Sequence, residues 1–289
     1  MTPKFTVPDH LKPYQRRLTV NGVGLHLYDS GPAQAPDPTF LLIHGLGDEA
    51  DSWRKVFPLL TGRGRVVAPD LPGFGRSEHP RRAYTLNFFA DTMAALLENL
   101  KIPQAVLVGS SMGAAVALRV AQRRADLVAR LVLVDGPPVR GRLNRVQLIF
   151  LIPGQGEKLY NSFRRSQEAA FESLRPYYAS LDALPPEERQ FLRERVWDRV
   201  WSDDQRRAYF STFRWMALES LLGHPNPARL GQVNVPTTIV WGEQDLPIPA
   251  EAGKLLSSWI TGAKLHLIPG CGHLPQQENP QELVRLILQ

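Results

Sequence analysis

The stretch that decides the fold is residues 106–117, which have the sequence VLVGSSMGAAVA. Its first half is short, apolar and β-branched, which is typical of a strand covered on both faces of a sheet. Its second half is rich in alanine, which suits a helix packed closely on that sheet. Two serines lie between glycines at the junction. We therefore predict a strand, a tight turn and a helix, with one hydroxyl presented at the turn.

Ser111 is the serine that fits a reactive turn. The segment Gly109-Ser110-Ser111-Met112-Gly113 matches the pattern G-x-S-x-G in one register only, with Ser111 at the centre. Side chains at the two glycine positions would collide with the neighbouring strand and helix. The central hydroxyl also lies at a helix N-terminus, where free N–H groups favour developing negative charge. We predict that Ser111 is a nucleophile and Ser110 a bystander; a turn of small residues without chemistry is the alternative.

Segments of strand character recur along the chain, with helical patterns between several of them. The predicted strands are 24–28, 39–43, 65–68, 105–108, 130–134, 237–241 and 264–268, and the predicted helices are 86–100, 112–122, 187–200, 206–222 and 278–288. This alternation implies an α/β fold, with a mostly parallel central sheet and helices on both faces. Residues 137–225 contain no convincing strand. We predict that they form an inserted helical cap between core segments 1–136 and 226–289.

Composition limits the class of protein. The chain has 289 residues, of which 43% are hydrophobic and 21% charged, as in ordinary soluble globular proteins. The net charge is +6, but the arginines are scattered among acidic residues, so no nucleic-acid partner is expected. The single cysteine, Cys271, excludes an internal disulfide and a multi-cysteine metal site. No apolar run approaches the ~20 residues of a membrane span. We expect a cytoplasmic protein.

A serine hydroxyl needs a neighbouring base to become nucleophilic. His273 lies in a glycine-rich loop after the last predicted strand, at the sheet edge where sites of α/β proteins gather. The base in turn needs a carboxylate to fix its tautomer. Asp245 follows the predicted strand 237–241, and Asp135, which ends strand 130–134, is the rival acid. The chain order Ser111, Asp245, His273 is the one expected for this architecture.

An oxyanion hole is the remaining requirement, because donors must point at the charge that forms in the transition state. The backbone N–H of Met112, directly after the nucleophile, is the first predicted donor. The second is the N–H of Leu46, in a glycine-rich loop after the predicted strand 39–43. We expect His44 to brace this loop by hydrogen bonds rather than to transfer protons.

Five segments together resemble the α/β-hydrolase family. They are HGLG at 44–47, DLPGFGRS at 70–77, GSSMG at 109–113, GEQD at 242–245 and GH at 272–273. They occur in the family's order, and the similarity extends from about residue 20 onward. The resemblance implies that Ser111 is the nucleophile, Asp245 the acid and His273 the base, with no cofactor and no metal. It also implies that the turn at 70–77 is structural.

The resemblance limits the reactions that are expected of the protein. Haloalkane dehalogenases and epoxide hydrolases of this family use an aspartate nucleophile, so they are disfavoured by Ser111. Carbon–carbon hydrolases of aromatic ring-cleavage pathways are similar at 109–117. However, they typically have tryptophan after the catalytic histidine, where this chain has Leu274, and an oxyanion loop richer in Ser and Gly than residues 47–50. We expect a carboxylesterase that acts through an acyl-enzyme. A carbon–carbon hydrolase, a non-catalytic ligand receptor and acyl transfer to another acceptor are the alternatives.

The cap is expected to select the substrate. A hydrophobic cluster at 146–152 includes Phe150, and Trp215 lies near the end of the cap. We predict that Phe150 and Trp215 line an apolar pocket for a small-molecule apolar ester or a related acyl substrate. The alternative is that these side chains only bury the cap against the core. The sequence leaves the oligomeric state open.

Overall fold

A single eight-stranded sheet forms the centre of the protein. The computed structural model describes residues 4–32, 37–137, 145–223 and 225–289. The strand order is β1-β2-β4-β3-β5-β6-β7-β8. The strands are β1 Gln15–Val20, β2 Val23–Asp29, β3 Thr39–Ile43, β4 Arg65–Pro69, β5 Ala105–Ser110, β6 Val128–Val134, β7 Thr237–Gly242 and β8 Lys264–Ile268. β2 pairs antiparallel with β1 and β4, and all other neighbours are parallel, so the predicted mostly parallel sheet is confirmed.

Twelve α-helices occur in the described residues. They are α1 Phe57–Thr61, α2 Leu86–Asn99, α3 Met112–Arg123, α4 Arg145–Leu151, α5 Gln155–Asn161, α6 Gln167–Glu172, α7 Pro186–Trp201, α8 Asp203–Leu221, α9 Pro227–Leu230, α10 Glu251–Trp259, α11 Pro275–Glu278 and α12 Pro280–Ile287. None of these helices combines the length and the apolar character that crossing a bilayer requires.

Helices cover both faces of the sheet. Helices α2, α3 and α10 contribute to the hydrophobic core on one face, and α1 and α12 contribute to the core on the other. Strands β3, β5 and β7 are buried along their whole length, as their nearly continuous apolar sequences predict. The small side chains of α3 let it lie close to β5 at the centre of the sheet. The turn between them, which carries Ser111, is therefore held by fully buried strands.

The structure differs from the sequence prediction at the two ends of the core. Strand β1 was not predicted, because its residues are polar and mostly exposed along the sheet edge. The predicted last helix over 278–288 is observed as α12, but it begins two residues later, because Asn279 leaves the helical region at φ −139°. Its side chain accepts a hydrogen bond from the N–H of Glu282, and Pro280 begins a new helix. The chain therefore has two short helices, α11 and α12, after β8.

Helices α4–α8 lie between β6 and β7, where a cap was predicted. Helices α6 and α7 and the segment between them form a small apolar core, which includes Phe171, Leu192 and Val196. No strand occurs in the described residues between β6 and β7. Because residues 138–144 and 224 lie outside the described ranges, the cap limits of 137 and 225 stay a prediction.

Candidate active site

Ser111 occupies the turn between β5 and α3. Its backbone has φ 55° and ψ −116°, which is strained for a residue other than glycine. A Cβ on Gly109 would lie 2.2 Å from the carbonyl oxygen of Gly113, and one on Gly113 would lie 2.1 Å from that of Ile43. Both positions therefore require glycine, for the steric reason that the sequence suggested. The turn presents Ser111 above the sheet, while Ser110 is fully buried.

His273 is paired with Asp245. Nδ1 of His273 lies 2.7 Å from Oδ2 of Asp245, and both side chains are buried. The second carboxylate oxygen, Oδ1, accepts a hydrogen bond from the N–H of Ile248 at 2.8 Å. The backbone N–H of His273 donates to the carbonyl of Tyr177 in the cap at 2.9 Å. The carboxylate favours a proton on Nδ1, which leaves Nε2 of the imidazole free to accept a proton.

Ser111 and His273 line the same cavity between core and cap. Its volume is about 1630 Å³. The apolar lining includes Leu46, Met112, Leu118, Phe150, Tyr209, Phe213, Met216, Ala217 and Leu255. No direct hydrogen bond joins Ser111 to His273 in the described structure, and such bonds often tighten only when substrate binds. The cavity is therefore the place where substrate would meet both groups.

Asp135, the rival acid, lies beside this pair without contacting the imidazole. Its carboxyl group is fully buried, and Oδ1 accepts a hydrogen bond from the N–H of Gly242 at 2.9 Å. Oδ2 has no hydrogen-bond partner among the described residues. Burial and the neighbouring charge of Asp245 raise the pKa of Asp135 well above its usual range. Burial therefore favours the neutral form of Asp135, and the structure brings Asp245, not Asp135, to His273.

Asp135, Asp245 and His273 also form the one grouping of potential metal ligands found in the described ranges, with ligand atoms within 4.8 Å of one another. Two of these atoms, Nδ1 of His273 and Oδ2 of Asp245, are already bonded to each other. The acid–base pair and its buried neighbour therefore account for this cluster.

The predicted oxyanion donors both line the cavity. Met112 is the first residue of α3, so its N–H has no acceptor within the helix. Leu46 follows β3 in a turn closed by a hydrogen bond of 3.3 Å from the N–H of Asp48 to the carbonyl of Gly45. A Cβ on Gly45 would lie 3.3 Å from that of Ser111, so this turn runs directly beside the nucleophile.

His44 stabilises the turn that carries Leu46 by hydrogen bonds. Its Nε2 accepts a hydrogen bond from the N–H of Leu71 at 2.9 Å, and its Nδ1 lies 2.8 Å from the carbonyl oxygen of Gly45. The segment 70–77 likewise stabilises the surrounding loops by hydrogen bonds. Buried Asp70 accepts hydrogen bonds from the N–H groups of Ala50 at 2.7 Å and Arg76 at 2.8 Å. These contacts leave neither His44 nor Asp70 available for proton transfer.

Of the two predicted pocket residues, only one lines the cavity. Phe150 is only 7% exposed and lines the cavity. Trp215 is 40% exposed and lies in a shallow surface depression outside it. On helix α8 the cavity side is formed by Phe213 and Met216, and Trp215 projects from another face of the helix. The prediction that Trp215 lines the pocket is therefore corrected.

Two cap residues that contact the oxyanion turn were missed by the sequence prediction. Arg199 of α7 binds Asp48 and Glu49, and Gln205 of α8 contacts the carbonyl of Gly47. A signal was present in the sequence, because two consecutive acids are unusual in a loop that must stabilise negative charge. Their partners lie about 150 positions away along the chain, so the sequence could not identify them.

Comparison with known proteins agrees with this geometry. The family model for the alpha/beta hydrolase fold matches residues 38–280, so the chain belongs to this family. It is 31% identical to an uncharacterized hydrolase, YugF, of Bacillus subtilis, over 92% of this chain and 93% of the relative. It is 30% identical to 2-hydroxymuconate semialdehyde hydrolase of a Pseudomonas species, over 98% and 95% of the two chains.

Among solved structures, 2-hydroxy-6-oxo-6-phenylhexa-2,4-dienoate hydrolase of a Rhodococcus species superposes with a TM-score of 0.81. The sequence identity is 22%, and the match covers 95% of this chain and 96% of the other, so it shows the shared fold. Family membership and the geometry of the turn together make the protein a serine hydrolase of the α/β-hydrolase fold.

Proposed function

We propose that the protein hydrolyses carboxylic esters with an apolar acyl group, through an acyl-enzyme on Ser111. The observation that carries this proposal is the placement of Ser111 and the buried His273–Asp245 pair at a large cavity with a predominantly apolar lining. Such a lining favours neutral apolar substrates, because burying an unpaired charge there would be costly.

The proposed reaction assigns one role to each group at the cavity. His273 Nε2 takes the proton of Ser111 as its Oγ attacks the carbonyl carbon, and Asp245 stabilises the resulting imidazolium. The N–H groups of Leu46 and Met112 would donate to the oxyanion. When the ester bond breaks, His273 gives its proton to the leaving alcohol. It then removes a proton from water, which attacks the acyl carbon, and it returns this proton to Oγ of Ser111 as the acyl–oxygen bond breaks and the carboxylic acid leaves.

The charges in the cavity support a neutral substrate. Arg119 lies 2.7 Å from the carboxylate of Glu219, and Arg199 is bound by Asp48 and Glu49. Among the residues that the structure describes, the other arginines that line the cavity are exposed to solvent. Both half-buried cations are therefore already neutralised, and neither is free to hold a substrate carboxylate.

Carbon–carbon bond hydrolysis of a ring-cleavage product is the second candidate. It is favoured by the relative named 2-hydroxymuconate semialdehyde hydrolase, which matches nearly the whole chain. A muconate-type substrate is an anion, so this reaction would require polar or cationic groups that bind the substrate carboxylate. The residue after His273 is Leu274, which lines the cavity and adds no polar group there.

The two candidates are tested with one substrate panel, assayed with the wild type and Ser111→Ala. The panel contains p-nitrophenyl esters of increasing acyl length, lactones and ring-cleavage dienones. We expect turnover of the esters, and a loss of kcat on the order of 10⁴-fold or more in Ser111→Ala, because the nucleophile is removed. Ser110→Ala is the matched control and should retain activity, because this hydroxyl only accepts a hydrogen bond from Gln276 inside the core.

Three results would contradict the proposal. Turnover of dienones without esters would establish the second candidate. Wild-type rates in Ser111→Ala would show that another group is the nucleophile. Stoichiometric labelling of Ser111 by a fluorophosphonate, without turnover of any substrate, would indicate a ligand receptor built on the same fold.

A further inference from the structure

The cap holds the turn that carries Leu46 through buried ion pairs. We call residues 45–49 the oxyanion loop. Nε and Nη2 of Arg199 lie 3.0 and 2.9 Å from the two carboxylate oxygens of Glu49. The same guanidinium also binds Asp48. Nε of Arg195, one turn earlier on α7, lies 3.1 Å from Glu49 Oε1. Glu49 is fully buried, so both cap guanidiniums face a carboxylate that water does not reach.

Helix α8 contacts the backbone of the oxyanion loop directly. The buried side chain of Gln205 donates from Nε2 to the carbonyl of Gly47 at 3.4 Å, and its Oε1 accepts from the N–H of Gly75 at 3.1 Å. The ring of Tyr209 packs on the same place, because a Cβ on Gly47 would lie 3.1 Å from it. Two cap helices therefore fix the peptide units on the C-terminal side of Leu46.

The core also holds this loop, through the packing of Leu46 and a hydrogen bond from the N–H of Ser52 to the carbonyl of Glu49 at 3.0 Å. His44 binds Gly45, and the hydrogen bond from Asp48 to Gly45 closes the turn. Removing one partner of a buried ion pair leaves an uncompensated charge, which forces the surrounding chain to move or to admit water. A shift of the loop matters, since catalytic donors must be held within ~0.5 Å and 10–20° of productive geometry.

We propose that Arg199 and Gln205 are positioning residues for the oxyanion hole, so that the cap sets the rate of the chemical step as well as access to the cavity. The inference rests on the proposed function, because it takes the N–H of Leu46 as an oxyanion donor. Both residues act through the oxyanion loop. Gln205 does not line the cavity, so a change there alters the loop without removing a contact to substrate.

The test compares Arg199→Lys and Gln205→Met with the wild-type protein. Lysine keeps the charge but loses the two-pronged contact with Glu49, and methionine keeps the volume of Gln205 but loses its amide. Loss of one oxyanion donor lowers kcat by ~10²–10³-fold. For misalignment of a donor that is still present we expect kcat to fall on the order of 10-fold or more, with KM nearly unchanged.

Two further readouts separate positioning from general stability. The Ki of a trifluoromethyl ketone, which forms an oxyanion on Ser111, should rise by the same factor as kcat/KM falls. The melting temperature is measured in parallel, with assays well below it. Arg206→Ala is the matched control, because this next residue on α8 binds Asp203 at 3.1 Å and Asn161 of α5 rather than the oxyanion loop, and should leave kcat unchanged.

The rate of fluorophosphonate labelling of Ser111 keeps this test distinct from the test of the substrate class. Labelling also develops charge in the oxyanion hole and needs no knowledge of the natural substrate. Slower labelling in Arg199→Lys and Gln205→Met supports the inference even if the wild type does not hydrolyse esters. Wild-type labelling rates and inhibitor Ki in both variants, with only a lower melting temperature or a higher KM, would overturn it.

Discussion

Asp135 and Asp245 end neighbouring strands, β6 and β7, and their side chains lie close together, yet only Asp245 binds His273. The sequence could name both acids, because each follows a buried apolar strand. It could not choose between them from the strands alone, since the choice depends on how each loop turns. Asp135 has a positive φ of 47°, and its carboxyl group accepts a hydrogen bond from the backbone of Gly242.

The variant Asp135→Asn tests the neutral state of this carboxyl group. The folded protein holds the proton of Asp135 more tightly than the unfolded chain, because its pKa is raised by burial and by Asp245. This group therefore stabilises the fold less as pH rises from about 4 toward the raised pKa. We expect the unfolding free energy of Asp135→Asn to fall less over this pH range than that of the wild type. Denaturant titration at several pH values measures both.

The activity of the same variant provides the control. Asparagine has the shape of a protonated aspartate, so Asp135→Asn should keep kcat within a few-fold. Asp245→Asn should lower kcat on the order of 10⁴-fold, because the imidazole loses the partner that fixes its tautomer. Identical pH dependence of stability in Asp135→Asn and the wild type would show that Asp135 is charged in the fold.

At the scale of single elements, the strand–turn–helix unit around Ser111 was predictable because three constraints agree there. The apolar run, the two glycines and the alanine-rich helix each require the same local structure. Helix α8 was predicted as a helix, but not which of its faces meets the cavity. It carries aromatic residues on several faces, so its periodicity does not separate Phe213 from Trp215. Which of the two side chains faces the cavity depends on how the cap packs on the core.

The variant Gly113→Ala tests the close approach of α3 and β3. Its Cβ would lie 2.1 Å from the backbone oxygen of Ile43, which cannot move without distorting the centre of the sheet. We expect a loss of stability above the ~1–3 kcal/mol of ordinary overpacking, together with loss of activity. Chemical denaturation and an ester assay measure the two effects.

Gly231→Ala is the matched control for this substitution. Gly231 has φ −62°, and the nearest atom to an added Cβ is 3.6 Å away. Alanine should therefore leave stability unchanged or raise it by ~0.4–1 kcal/mol. Equal effects of the two substitutions would show that the crowding at Gly113 is relieved by small movements.

At the scale of the whole molecule, we expect the cap to control what reaches Ser111. Phe150 is packed against Tyr209 and Phe213 at the cavity wall, with ring centroids 6.1 and 6.0 Å apart. Phe150→Ala enlarges the cavity, so we expect the preferred acyl length in a series of p-nitrophenyl esters to increase. Trp215→Ala, which changes the outer surface of α8, should leave the profile as in the wild type. A shift of the profile in Trp215→Ala, or an unchanged profile in Phe150→Ala, would contradict this assignment of the wall.

The parts of the site that the sequence could not supply are the long-range ones. Candidates for the nucleophile and the base, and their order, could be predicted from local motifs, since each follows a recognisable strand. The ion pair between Arg199 and Glu49 joins a cap helix to a core loop, and neither segment has a local sequence feature that identifies the other as its partner. Such pairs are decided by the docking of cap on core, which depends on many weak contacts together.

Strand β8 is the outermost strand on its side of the sheet, and most of its residues are only partly buried. The loop after it carries His273, whereas Ser111 follows β5 in the protected centre. Peripheral strands open at lower free energy than central ones. Local unfolding of β8 would separate His273 from Ser111 while most of the molecule stays folded. We therefore expect heat or denaturant to abolish activity before the global unfolding transition.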